Sequence, residues 1–214
     1  MRLLTVVVIF ALSHTALMSM AADSTHPVDK EAAKSTNSIG SEMHILGVTL
    51  VDPTEELMKK HGLSADYPGP IITRVQTPSF FPEGMAPSAG CSFWIVEHPS
   101  RGLGLESDTS PSFRPKTAQE FADAVIACTI APKDYAALFE LRKKMALEQE
   151  AKLKDDPAVR SRLKEIAGAK LTPAETGKYV CRLVFNYPDQ KGTMTTQIYL
   201  SKAELDDIRK LLKK

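Results

Sequence analysis

The chain is poor in the side chains that catalysis and metal binding use most. Its 214 residues hold three Cys, five His and one Trp, and aromatics make up 7%. The histidines stand at 14, 26, 44, 61 and 98, and no pair of them has metal-ligand spacing; nor does any pair of cysteines. There is no Gly-x-Ser-x-Gly elbow and no Walker-type phosphate loop. Charge of one sign is also missing. The formal net charge is +1, and Arg2 is the one charged residue among the first 22, so the remainder carries 26 basic and 26 acidic residues. That balance gives no reason to expect nucleic acid, which requires a clustered basic footprint. Long apolar runs, low-complexity tracts and internal repeats are absent beyond the N-terminus. A 43% apolar and 25% charged composition is that of a globular chain.

Little in this inventory points to an enzyme, and no cofactor is expected. Asp155-Asp156 reads as a helix cap rather than a paired-carboxylate site. A thiol site built from Cys91 with His44 or His98 stays open as a remote alternative, because such partners need not be neighbours in sequence. The three cysteines read as small buried apolar side chains. The rival reading is one disulfide, with Cys128 and Cys181 as the pair to test.

The N-terminus has the layout of a signal peptide over residues 1–21. Arg2 supplies positive charge, Leu3 to Leu12 is an apolar run of ten, and Ser19-Met20-Ala21 offers small residues for cleavage. The apolar run is short for a bilayer span. The chain is thus expected to be exported, periplasmic or secreted, with no membrane contact after cleavage. Residues 22–42 lack apolar periodicity and read as a disordered linker.

From Met43 on, the pattern alternates strands and helices. Ile45 to Val51 reads as one strand. Asp52 as N-cap and Pro53 at the first helical position then start a short helix that closes at Gly62. Ile71 to Val75 and Cys91 to Glu97 read as strands, and His98 to Pro115 as a loop that includes Gly102-Leu103-Gly104-Leu105. Thr117, with Glu120 three residues on, caps a helix whose apolar face carries Phe121, Ala124, Val125 and Cys128. A charged helical hairpin follows at about 133–170. Tyr179 to Asn186 and Thr193 to Leu200 alternate as a β-hairpin. Ser201 and Glu204 open a C-terminal helix over 201–214, with Leu205, Ile208, Leu211 and Leu212 as its apolar stripe.

This order over residues 43–200, strand, short helix, strand, strand, capped helix and final β-hairpin, resembles a PDZ domain, especially those appended to trypsin-like serine proteases of the bacterial envelope. Ile45-Leu46-Gly47-Val48 looks like the family's loop for a peptide carboxylate. Leu50-Val51-Asp52-Pro53-Thr54-Glu55-Glu56-Leu57 with Gly62-Leu63, and Gly69-Pro70-Ile71-Ile72-Thr73-Arg74-Val75, are similar to the segments that follow it. Gly84-Met85-Ala86-Pro87 resembles the turn before the family's Gly-Asp step, although here Gly90 is followed by Cys91. The long loop at 98–115 and the helical hairpin at 133–170 depart from the family as insertions.

The resemblance implies an α+β fold: a partly open β-barrel or sandwich with a groove helix. It implies peptide binding in a slot between an edge strand and that helix. Ile45, Leu46, Gly47, Val48 and Thr49 would form one wall, and Ala118, Phe121, Ala122 and Val125 the other. The partner would be an extended peptide or a protein C-terminus, added as an extra strand. The alternative from the residues alone is an interaction protein without a groove, docking a partner through the helical hairpin.

Overall fold

The computed structural model describes residues 42–65, 69–76, 80–82, 84–103, 109–152, 157–188 and 192–213. The signal peptide and nearly all of the linker lie outside these residues, as do Gly104 and Leu105 of the glycine-rich loop. The described residues form an α+β unit built on seven antiparallel strands. In chain order the strands are β1 (Met43–Ile45), β2 (Val48–Val51), β3 (Ile71–Val75), β4 (Ser92–Glu97), β5 (Ser112–Phe113), β6 (Tyr179–Asn186) and β7 (Thr193–Leu200). The helices are α1 (Glu55–Lys60), α2 (Ala118–Cys128), α3 (Pro132–Lys152), α4 (Pro157–Gly168) and α5 (Lys202–Leu211). A 3-10 turn, Pro99–Leu103, follows β4. Across the sheet the order is β1-β2-β3-β4-β6-β7, with the short β5 also paired to β4.

The expected single strand from Ile45 to Val51 is two strands. Leu46 and Gly47 both take positive φ, 54° and 70°, and form a two-residue turn between β1 and β2. Such turns need two left-handed residues because only that twist matches the strands they join. Glycine tolerates the conformation; Leu46 is held in it with its side chain almost fully buried.

The core lies between the sheet and helices α2 and α5. Cys181, Leu183 and Phe185 of β6 and Ile198 and Leu200 of β7 point into it, following the strand period of two. Phe121 of α2 stacks on Phe93 of β4, with centroids 4.3 Å apart, and Phe185 meets Phe93 edge-on at 6.2 Å. Val180 and Tyr199 look to the opposite side, where Tyr135 and Leu138 of α3 join them with Ile130 and Leu171. This small cluster anchors the helical hairpin. The Tyr135 hydroxyl donates to Gln197 Oε1 at 3.2 Å, and the Tyr199 hydroxyl lies 2.9 Å from Glu175 Oε1. Burial raises the pKa of both phenols.

The caps differ from expectation in one instructive place. Thr54, not Asp52, caps α1, accepting Leu57 N–H at 3.2 Å. Asp52 instead accepts Ala118 N–H at 2.7 Å, at the start of α2. Thr117 caps α2 as expected, and Ser201 with Glu204 forms a complete capping box on α5.

Candidate functional site

Residues expected to wall a groove between β2 and α2 are brought together, but as core. Strand β2 is paired on both sides, with β1 through Ile45↔Val48, His44↔Thr49 and Met43↔Leu50, and with β3 through Val48↔Val75 onward. It is not an edge. Val48, Thr49, Ala118, Phe121, Ala122 and Val125 are buried, and Phe121 is committed to Phe93. Strand β1 takes the place expected for an added peptide: it runs antiparallel beside β2 and also touches α2. The expectation of an open slot between β2 and α2 is corrected on these grounds. Leu46 and Gly47 form a hairpin turn rather than a carboxylate loop.

Among the described residues, the edge strand on this side of the sheet is β1. Ile45 and Val48 flank the two-residue turn and form the pair that exchanges both backbone bonds. His44, the next residue, therefore directs its N–H and C=O away from β2. In this register the two groups take no part in the β1–β2 ladder. Its ring is tied back to the sheet, with Nδ1 2.9 Å from Thr49 Oγ1.

Beside this edge lies a cleft of about 290 Å³. Strand β1 and its turn contribute His44, Ile45 and Leu46. Helix α5 contributes Glu204, Asp207, Ile208 and Leu211, and Phe80 completes the lining. Ile45, Leu46 and Ile208 are buried and give it an apolar floor. Ile45 and Leu46 belonged to the expected site. The α5 residues did not, although the periodicity of Ile208 and Leu211 marked that helix as amphipathic; Phe80 carried no sequence signal. A smaller notch of about 140 Å³ lies between α3 and α4, against Phe139, Arg142, Arg162 and Ile166.

The cysteines are three buried free thiols, so the Cys128–Cys181 disulfide is not formed. Burial, aided by the Glu97 charge, pushes the Cys128 thiol up to about 12, and burial raises Cys181 as well. Cys91 is fully buried with its Sγ 3.4 Å from Ser88 Oγ, and His44 is engaged with Thr49. Among the described residues, no group of three or more His, Cys, Asp and Glu side chains is placed to hold a metal ion. No described helix is long and apolar enough to cross a membrane.

In comparison with known proteins, the chain matches no family model, no curated protein and no solved structure.

Proposed function

We propose that the chain is an exported, non-catalytic interaction module, a PDZ-like domain elaborated by a helical hairpin, that binds extended peptides by strand addition. The receiving edge is β1, and the opposing wall is α5. The observation that carries this reading is the pair of His44 backbone groups that face away from β2 at the edge of an apolar-floored cleft. An incoming strand would pair with those groups and rest alternate side chains on Ile45, Leu46 and Ile208. In the PDZ resemblance the peptide lies between β2 and α2; here that place belongs to β1, so the binding groove is displaced outward by one strand. Export rests on the N-terminal residues 1–21.

Proline at position 44 tests the reading. It removes the outward N–H while leaving the β1–β2 bonds in place, a position at which edge strands tolerate proline. His44→Pro should abolish binding of extended peptides in fluorescence anisotropy, and His44→Ala, which keeps the N–H, should retain it. Equal affinities for the two variants would refute strand addition at β1.

A second reading is docking through the helical hairpin. Among the described residues, Leu141, Leu147 and Val159 of α3 and α4 are at least 40% exposed. Under this reading the native chain migrates as part of a larger complex, and Leu147→Glu releases it as a monomer.

A further inference from the structure

The charge around the cleft says what kind of peptide fits it. This inference rests on the strand-addition reading and narrows its partner. Of the residues that line the cleft, Glu204 and Asp207 are acidic and none is Lys or Arg. Glu204 spends one oxygen on the Ser201 N–H at 2.6 Å, completing the α5 cap. Asp207 holds Lys210 at 2.7 Å, but Lys210 is not among the lining residues. Both carboxylates keep further lone pairs. The backbone groups at the edge are those of His44, one donor and one acceptor, and not the several convergent N–H groups that a carboxylate needs.

We propose that the cleft selects an extended peptide whose cleft-facing residues, every second one along the strand, include both aliphatic side chains and lysine or arginine, and that a free C-terminal carboxylate takes no part in recognition. The aliphatic side chains lie on Ile45, Leu46 and Ile208. The cationic ones reach Glu204 and Asp207 on α5. A C-terminus at this site would face Glu204 and Asp207, while Lys210, the cation paired with Asp207, is not among the lining residues, an arrangement that discriminates against a carboxylate.

The test uses the full chain without its first 21 residues and three labelled decapeptides. The first carries valine and lysine in turn at every second position, with threonine between them, and ends in a free carboxylate. The second is the same peptide amidated at its C-terminus, and the third replaces lysine by glutamate. Expected are affinities at least about tenfold higher for the lysine peptides than for the glutamate peptide, an advantage that shrinks with added salt. Amidation should leave affinity unchanged. The double variant Glu204→Gln with Asp207→Asn should weaken the lysine peptide by about threefold or more. Gln still serves in a capping box, so α5 stays formed, which circular dichroism checks. If lysine and glutamate peptides bind alike, or if amidation abolishes binding, the charge assignment is overturned while strand addition stands. If none of the three binds, both are overturned.

Discussion

Asp52 at the end of β2 accepts the backbone N–H of Ala118 at the start of α2, across 66 residues of sequence and 2.7 Å of space. This bond ties the start of the helix to the end of the strand. It also satisfies an amide that the first turn of a helix leaves without an intrahelical partner. Asp52→Ala should therefore cost about 1 kcal/mol in urea unfolding, within the usual range for a lost cap. Thr54→Ala should cost less, because α1 buries none of its residues.

Gly47 serves the turn. Its φ of 70° makes Gly47→Val unfavourable by about 1–2 kcal/mol, whereas Gly47→Asn should be tolerated. Equilibrium unfolding in urea measures the loss.

Phe121 is a core residue. Truncating it to alanine removes the stack on Phe93 and should destabilise the fold by about 3–5 kcal/mol. A loss under about 1 kcal/mol in the same unfolding measurement would mean that the side chain sits at a surface rather than in a packed interior.

Cys128 should make the fold sensitive to alkali. Its thiol ordinarily ionises near 9.0 and in the folded chain is pushed up to about 12. Above pH 9 the unfolded chain releases a proton that the folded chain keeps, so stability is full below that pH and falls as pH rises from 9.0 towards about 12. Cys181 adds to the trend in the same direction. Unfolding midpoints taken across that window should decline, and Cys128→Ala should lessen the decline. At neutral pH a thiol reagent should label the native protein slowly and the urea-unfolded protein fast.

Much of the fold was legible because its signals are local. Thr117 and Ser201 announced two helices by their hydroxyls, and Tyr179 to Leu200 announced a hairpin by alternation. What the sequence could not settle was nonlocal. Leu46 has no intrinsic liking for left-handed backbone, so the turn at Leu46-Gly47 was hidden inside an aliphatic run that reads as one strand. Asp52 fits the local grammar of an α1 cap and was drawn away by Ala118, a contact no neighbouring residue reveals. The position of the cleft follows from the turn: once β1 folds back on β2, the edge passes from β2 to β1, and the helix that lines the cleft beside it is α5. Apolar residues at groove positions look the same in sequence whether they face a ligand or a packed core.

Backbone amide NMR of the isotope-labelled protein, titrated with the amidated valine–lysine decapeptide, tests the central claim most directly. The account expects shifts at His44, Ile45 and Leu46 and along α5 at Glu204, Asp207 and Ile208, with slowed hydrogen exchange at the His44 amide. Shifts confined to α2, β2 or the α3–α4 hairpin, with His44 exchange unchanged, would contradict it.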